Sequence, residues 1–453
     1  MQRLSKLACR GRAFSVDNHT GIRENGVTDL SNLTACPDCD LLIDAATVPS
    51  GKKSKCPRCG TTLRIFIPNS VDKTVALSLT GLLLYIPAMF MPIMTFGVMG
   101  MRGSGNVIDA MTALFQKGYF FVGTMVLLTS ILFPLIKLAL LFSVALCLKL
   151  RRYPKILPYL FRAYHHLSEW GMVEVYMLGI LITIIKMHHM AAIQYDIGFF
   201  CFVALVLITV GTSAVLDEHA FWQQIEQNPR PREKQKEAAM GAASPITAQA
   251  ANLLRCHDCG KLVYHKQVAA DEITRCPRCM AVLHMRKPAS ISRTWALVLS
   301  SAIFFLPANI LPIMRVDFLG KPDRSTILDG IIYFFKSGEY SIGLVIFTAS
   351  VLVPLFKIVG IILIVLSIHF HWQGWLKHKA MMFRFIEFVG RWSFLDIFVI
   401  ALLGALVRFG SLSAIMAEPA APFFTAVVLC TMFAALAFDP RVLWDTCAEH
   451  QHN

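Results

Sequence analysis

The chain has 453 residues, of which 55% are hydrophobic and only 16% are charged. This composition is too apolar for a soluble protein of several domains and indicates a membrane protein. The formal net charge of +14 points to basic loops beside anionic headgroups on one side of a membrane more than to a nucleic-acid partner. We therefore expect a protein that interacts with a membrane and not with nucleic acid.

The N-terminal residues 1–34 have no apolar periodicity and predict a mobile tail. Arg3, Lys6 and Arg10 resemble the basic start of a signal peptide, but residues 15–33 are polar and no apolar core follows. The sequence therefore predicts that the N-terminus remains in the cytoplasm.

Residues 35–68 contain four cysteines spaced C-x2-C-x16-C-x2-C, and residues 253–287 repeat this pattern 220 positions later. Four thiolates at this spacing favour a tetrahedral zinc ion with no open coordination position, which is a structural site. Short apolar stretches beside the cysteines predict strands, so each quartet is interpreted as a small zinc ribbon. The predicted ligands of the two zinc ions are Cys36, Cys39, Cys56 and Cys59, and Cys256, Cys259, Cys276 and Cys279.

The second ribbon differs from the first at the residue that follows its last cysteine. Gly60 occupies this position in the first ribbon and Met280 in the second. A knuckle of this kind often needs a positive φ, which glycine adopts at the lowest cost. We therefore expect the second ribbon to be the weaker metal site.

The repeat continues through apolar segments, four in each copy, that are long enough to cross about 30 Å of hydrocarbon. We predict an all-α polytopic membrane protein with two tandem parallel repeats, each a zinc ribbon followed by four transmembrane helices, eight in total. The expected boundaries are residues 69–222 for unit 1, 223–252 for a linker, 288–445 for unit 2 and 446–453 for a C-terminal tail. The predicted spans are residues 74–96, 119–148, 170–187 and 197–216, and 294–314, 340–368, 392–409 and 422–438.

The basic residues predict the orientation of the chain. Loops 149–169 and 377–391 are rich in Lys and Arg, and the positive-inside rule places both in the cytoplasm together with the ribbons. Four spans per unit return each end of the chain to that side. We therefore expect a pseudo-two-fold axis along the membrane normal, unlike the inverted repeats of many transporters.

Two prolines five residues apart interrupt the first span of each unit. Each proline removes an amide donor and clashes with the preceding turn, so the helix must kink or break. Both a packing kink and a cavity lined by broken helices agree with this pattern. These residues are Pro87 and Pro92 in unit 1, and Pro307 and Pro312 in unit 2.

Charged residues within the spans are the second candidate site. Lys137 and Lys357 lie about eleven residues from the basic end of their spans, or about 16 Å deep, where an unpaired ammonium is costly. Glu174 and Asp396, about one turn inside the third spans, are the predicted partners, either as structural ion pairs or as proton-linked sites. Lys186 and Arg408 lie twelve residues farther on, where a transport role and interfacial snorkelling both remain open.

These motifs together resemble one known family. A doubled zinc ribbon, P-x4-P-I-M in each first span and P-L-x-K in each second span are similar to the paraquat-inducible protein A (PqiA) family, which includes the LetA proteins. The resemblance covers residues 35 to 445. It implies an inner-membrane protein that works with a periplasmic MCE-domain protein, whose hexameric rings form a tunnel for phospholipid.

The sequence contains no Walker A pattern and no Ser-His-Asp arrangement, so we expect no enzymatic activity. The resemblance implies a subunit of an intermembrane lipid transport system. An ion-coupled or proton-coupled small-molecule exporter and a membrane scaffold for a periplasmic partner are the alternatives. The direction of transport, the class of lipid, the energy source and the stoichiometry with the partner stay open.

Overall fold

A computed structural model provides the architecture. The residues that it describes are 27–28, 33–44, 53–98, 101–116, 118, 120–187, 192–226, 238–239, 247–264, 274–318, 321–372, 374–395, 397–399 and 413–448.

Unit 1 is built from apolar helices that pack side by side. Helix α1 (Ser70–Phe90) contacts both α4 (Phe133–Lys149) and α7 (Ile197–Val215). Small residues on α1 permit this close packing, because a Cβ at Gly81 would already lie 3.3 Å from Leu138 and Ile208. The remaining helices are α2 (Val107–Gln116), α3 (Phe120–Val126), α5 (Leu157–Ser168), α6 (Val173–Met187) and α8 (Glu218–Glu226).

Unit 2 repeats this arrangement over its described residues. Helix α9 (Ser290–Ile310) packs against α14 (Ala420–Ala437) as α1 packs against α7. The other helices are α10 (Ile327–Lys336), α11 (Tyr340–Phe347), α12 (Val353–His369), α13 (Leu376–Gly390), a 3₁₀ turn (Arg391–Phe394) and α15 (Val442–Ala448).

Among the described residues, seven helices are long and apolar enough to cross a membrane. They correspond to seven of the predicted spans, and their ends differ by a few residues except at the start of the third span of unit 1. Most of the predicted span 392–409 lies outside the described residues. The apolar stretch of the third span of unit 1 begins at Leu157, because α5 and α6 follow one another across a short break.

The second span of each unit contains a π-helical segment that the sequence interpretation missed. Leu127–Leu132 joins α3 to α4, and Thr348–Leu352 joins α11 to α12. Each segment ends two residues before the Pro of the P-L-x-K motif, Pro134 or Pro354. Because proline has no N–H, the backbone cannot continue a regular hydrogen-bond ladder there, and the wider turn accommodates the interruption.

The first span ends between its two prolines, as the predicted break requires. The N–H of Met91 donates to the carbonyl of Pro87, and Pro92 follows in extended chain; unit 2 repeats this with Leu311 and Pro307. The described residues between the first two predicted spans of unit 1 include part of a sheet and α2. Strand β6 (Met94–Val98) lies between β7 (Met101–Gly105) and β8 (Ala192–Tyr195), all antiparallel. Unit 2 has the same sheet, with β12 (Met314–Phe318) between β13 (Lys321–Ser325) and β14 (Ser413–Ala417).

The cysteine-rich segments form short antiparallel hairpins, as the sequence predicts. The strands are β2 (Leu33–Ala35), β3 (Leu42–Asp44), β4 (Lys53–Lys55) and β5 (Thr62–Ile65) in the first segment, and β10 (Leu253–Arg255) and β11 (Leu262–Tyr264) in the second; β1 (Val27–Thr28) pairs with β9 (Ala238–Ala239).

The two units contact each other through equivalent residues. The rings of Tyr176 and Phe398, which are related by the repeat offset of 222, lie 5.3 Å apart. Two copies of the same position meet only near an axis of two-fold symmetry. Both side chains are fully buried, so this contact belongs to the core shared by the two units.

Candidate functional site

Each cysteine quartet converges on a single point. The four ligand atoms of each quartet lie within 4.8 Å of one another, and all eight side chains are buried. The sulfurs of Cys36 and Cys59 are 3.4 Å apart, as are those of Cys256 and Cys279. Thiolates around a tetrahedral zinc ion would be about 3.8 Å apart, given Zn–S bonds of about 2.3 Å. The donor set therefore fits a metal ion held by four thiolates.

The thiols within each quartet compete for protons. Hydrogen bonding with Cys36 lowers the pKa of Cys56 to about 7, whereas the hydrogen bond with Cys36 and burial raise the pKa of Cys39. Four neighbouring thiolates repel one another, so complete ionisation of the quartet requires a cation. A bound metal ion supplies that cation.

The knuckle turns explain the glycines near the cysteines. Gly60 and Gly260 have φ values of 79° and 69°, and each donates its N–H to the carbonyl of the cysteine four residues earlier. Met280 adopts the same conformation with φ 61°, as the sequence predicts, and Asp40 does so in the first ribbon with φ 60°. Each ribbon thus has one glycine and one side-chain residue at the strained positions. Asp tolerates this region better than Met does.

Each ribbon docks on the membrane unit of the other repeat. Arg384 of α13 in unit 2 donates to the carbonyl of Cys59 at 2.9 Å and lies 3.7 Å from Asp38, both in the first ribbon. Arg162 of α5 in unit 1 lies 2.7 Å from Asp258 in the second ribbon. Asp38 and Asp258 are equivalent in the repeat, as are Arg162 and Arg384. Each ribbon therefore makes the same kind of contact with the unit of the other repeat. The sequence interpretation placed each ribbon beside its own unit only by chain order and did not predict this crossing.

The edge of each ribbon makes further contacts with the unit of the other repeat. The guanidinium of Arg58 lies 4.4 Å from the ring centre of Trp444 in unit 2, within the range of a cation–π contact. Arg278, its equivalent, donates to Glu226 at the end of α8 in unit 1 at 2.8 Å, and Lys261 pairs with the same carboxylate. Burial raises the pKa of Glu226, but the hydrogen bond from Lys261 and the charge of Arg278 outweigh it, so the pKa falls below its ordinary value.

A buried ionic network joins both ribbons to unit 2. Arg441 binds Asp439 through two nitrogens at 3.0 and 2.9 Å and lies 3.9 Å from Asp40 of the first ribbon. Arg286 lies 2.6 Å from Asp445 and 3.6 Å from Asp40. Burial alone would raise the pKa of Asp439, but the hydrogen bonds from Arg441 lower it to about 2. Unit 1 has His219 at the position of Arg441 and lacks this pair.

The intramembrane lysines occupy different settings. Lys137 and Glu174 line one cavity of about 10 Å³, together with Thr209 and Thr212. This volume is about that of one water molecule, and the two hydroxyl side chains were not recognised from the sequence. Lys357 is 1% exposed and donates to the hydroxyl of Ser393 at 3.3 Å. Lys137 and Glu174, which the sequence predicts as partners, therefore line the same cavity.

Three of the predicted charged residues have no described side chain. Asp396 and Arg408 lie outside the described residues, as does the side chain of Lys186. The pairing of Lys357 with Asp396 remains a prediction. The four prolines do not contact the cavity that contains Lys137; Pro134 of the P-L-x-K motif does.

The fold and the site define a polytopic membrane protein of two equivalent units, with two buried four-cysteine clusters that could each hold a metal ion. The family model described as Paraquat-inducible protein A matches residues 71–226 and 291–448. These ranges cover the membrane units and leave both ribbons outside. The chain belongs to the paraquat-inducible protein A family.

Several relatives match almost the whole chain. The Intermembrane transport protein PqiA of Escherichia coli is 32% identical over 418 residues, which cover 92% of this chain and 96% of the relative. The Lipophilic envelope-spanning tunnel protein A of Escherichia coli is 33% identical over 415 residues, 90% of each chain. The Probable intermembrane transport protein of Haemophilus influenzae is 28% identical over 412 residues, 90% of this chain and 95% of the relative. No solved structure matches the chain significantly.

Proposed function

We propose that this protein is the inner-membrane subunit of a lipid transport system that passes phospholipid between the inner membrane and a periplasmic tunnel of MCE-domain proteins. The observation that carries the proposal is the polar cavity between the membrane helices of unit 1, in a chain whose relatives are named for intermembrane transport. A charged pair is costly in hydrocarbon and is a functional hypothesis by default. In this role the protein acts without enzymatic chemistry.

The proposal includes eight membrane spans, with residues 392–409 as the eighth. Both ribbons, both termini and the basic loops face the cytoplasm, because this orientation puts the Lys and Arg clusters on one side. The small sheets that contain β6 and β12 follow the far ends of the first spans and then face the periplasm, where the MCE-domain partner, a homohexamer by the family resemblance, docks. The contact between Tyr176 and Phe398 supports a pseudo-two-fold axis along the membrane normal.

We assign zinc to both four-cysteine centres. Four thiolates with no open position suit zinc, which is bound tetrahedrally and has no redox chemistry of its own. In this assignment the ribbons brace the two units against each other, because each ribbon contacts the unit of the other repeat. Metal analysis of the purified protein should find about two zinc ions per chain, and a value near zero would remove the assignment.

Lys137 and Lys357 serve the transport of lipid in this proposal. The phosphate of a phospholipid is an anion that an ammonium can bind while the acyl chains stay in apolar surroundings. Glu174 neutralises Lys137 when no lipid is present. The four prolines end or bend the first spans so that the helices can separate around the lipid, and Lys186 and Arg408 bear charge near the opposite face.

The test has two parts. The protein should copurify with a periplasmic MCE-domain oligomer and with phospholipid, whereas a solitary protein without bound lipid contradicts the proposal. Lys137→Ala and Lys357→Ala should each abolish complementation of a deletion strain, and Lys137→Ala should do so at normal membrane abundance. Lys149→Ala is the matched control, because Lys149 pairs with Asp72 at 3.1 Å on the surface and lies at the end of the same helix. Loss of a small-molecule efflux phenotype with unchanged lipid content favours the exporter instead.

A further inference from the structure

A groove opens where the second span of unit 2 ends. Helix α12 ends at His369, and α13 begins at Leu376. Between them a groove of about 480 Å³ is lined by His371, Trp372, Gly374, Trp375 and Lys379. Because α12 is the last part of an apolar stretch that can cross the membrane, we expect this groove at the level of the lipid headgroups.

The groove presents large aromatic rings outward. Trp372 is 59% exposed and Trp375 is 76% exposed. An indole ring combines an apolar face with an N–H donor, which suits it to the boundary between hydrocarbon and water. Trp375 also has a φ of 63°, a conformation that is costly for a bulky residue. Trp375 thus lines the groove from a strained backbone position.

The ionisable residues of the same segment are all basic. Residues 369–379 contain two lysines, three histidines and no acidic residue. The ammonium of Lys379 donates to the carbonyl of Trp372 at 2.5 Å, and none of the ion pairs between described residues involves it. Burial lowers the pKa of Lys379, so an anion that approached it would relieve part of that cost. The groove therefore complements a negative charge.

Unit 1 differs at the equivalent loop. Arg151 and Arg152 occupy the positions of His371 and Trp372, and no tryptophan is present there. Lys149, at the position of His369, is neutralised by Asp72, whereas unit 2 has Ser292 at the position of Asp72. The repeat offset is 220 at Trp372 and 222 at Arg384, so unit 2 also has two additional residues in this loop. The aromatic groove is thus a property of unit 2 alone.

We propose that this groove binds the headgroup of an anionic phospholipid such as phosphatidylglycerol. The phosphate accepts hydrogen bonds from Lys379 while the two indoles cover the glycerol region. The acyl chains follow exposed apolar side chains of α12, where Phe356, Val359 and Leu363 share one face by helical spacing. This site goes beyond the proposed function, since it is a resident lipid site at the membrane surface and does not depend on transport.

The experiment measures bound lipid directly. The full chain is reconstituted in nanodiscs of phosphatidylcholine with a minor fraction of phosphatidylglycerol, released, and analysed by native mass spectrometry. The wild type should retain one phosphatidylglycerol in preference to phosphatidylcholine. Lys379→Gln should weaken its retention about fivefold, and Trp372→Ala/Trp375→Ala should weaken it further, whereas Lys379→Arg should restore it.

Arg151→Gln/Arg152→Gln in unit 1 is the matched control and should leave retention unchanged. Equal loss in this control and in the unit 2 variants would overturn the site, as would equal retention of the two lipids by the wild type. Excess glycerol 3-phosphate should fail to displace the lipid; displacement would show that a free phosphate is the ligand. Unchanged metal content and gel-filtration volume establish that each variant is folded. Because no transport is measured, failure of the proposed transport function leaves these outcomes intact.

Discussion

The two membrane units place the same lysine in different surroundings. Lys137 lies beside Gly171, where a Cβ would be 3.6 Å from its Cδ, and it lines a cavity with Glu174. Lys357 is fully buried and donates to Ser393, which occupies the position of Gly171 in the repeat. A single exchange of glycine for serine thus accompanies a change from a lysine at a cavity to a lysine bound in the core. The motif P-L-x-K is conserved between the two units while its local chemistry is not.

The ends of the two units that face the ribbons differ in the same sense. In unit 2, Arg441 and Asp439 form a buried ion pair that reaches Asp40 of the first ribbon. In unit 1, His219 follows Asp217 at the equivalent positions. At this end, unit 2 is therefore linked to the first ribbon by a buried arginine, whereas unit 1 has a histidine at the equivalent position.

The largest expected effect concerns the two lysines. Lys357→Met should destabilise the protein by about 3 to 5 kcal/mol, because the predicted partner Asp396 would lose its cation. Lys137→Met should cost about 1 kcal/mol, because Glu174 borders a cavity that accommodates a water molecule. Thermal unfolding in detergent measures both, and Lys357→Met/Asp396→Leu should recover most of the loss. A rise in melting temperature for Lys357→Met alone would contradict the pairing.

The next largest effect on stability is expected from the contacts between each ribbon and the unit of the other repeat. Arg384→Ala should cost about 2 to 3 kcal/mol, because it removes hydrogen bonds to Thr61 and Cys59 and the contact with Asp38. Arg162→Ala should cost about 1 kcal/mol, because one ion pair to Asp258 is lost at a partly exposed site. Hydrogen exchange should then accelerate in the first ribbon for Arg384→Ala and in the second for Arg162→Ala. Acceleration in the ribbon of the same repeat would disprove the crossing.

The dependence of stability on pH should distinguish the ribbon-facing ends of the two units. Burial and the charge of Arg64 lower the pKa of His219 to about 4, below the ordinary 6.5. The unfolded chain therefore binds this proton more readily, and stability is lost as pH falls from about 6.5 towards 4. The pKa of Asp439 is also lowered, so its contribution is lost only below its ordinary value of 3.8.

His219→Gln should accordingly flatten the fall in stability between pH 6.5 and 4 by about 2 kcal/mol. The exposed His369→Gln is the control and should keep the wild-type slope. Melting temperatures across this pH range provide the measurement, and an unchanged slope in His219→Gln would exclude the buried neutral histidine.

The smallest effect compares the two ribbons. Met280→Gly should stabilise the second ribbon by about 1 kcal/mol, because glycine adopts the positive φ at little cost. Its metal should then be released to a chelator about fivefold more slowly. Asp40→Gly should not stabilise the first ribbon, since Asp40 also pairs with Arg286. Equal release from both ribbons of the wild type would show that the strain at Met280 does not affect the metal.

Much of the architecture could be predicted because hydrophobic length and cysteine spacing are local properties. Seven of the predicted spans and both quartets agree with the structure. The sheet around β6 was missed, since Gly-rich and Met-rich strands have little alternation and pair with β8 about one hundred residues away in sequence. The π-helical turns were also missed, although Pro134 and Pro354 were the available signal.

The residues around the two lysines show which parts of the site could not be predicted from the sequence. Lys137 and Lys357 were predicted from their depth, and Glu174 from its position one turn inside a span. Ser393 and Thr209 were not, because a hydroxyl in an apolar span usually bonds its own helix and gives no pattern of its own.

The sequence alone determined the repeat, the spans, the cysteine ligands and the family, because each depends on residue type at a fixed spacing along the chain. Tertiary structure alone decided which ribbon lies on which unit, since Asp38 and Arg384 are far apart in sequence and no local pattern relates them. It also decided that Lys357 is enclosed while Lys137 borders a cavity. Packing density around a buried group depends on all its neighbours at once, and no single stretch of sequence contains that information.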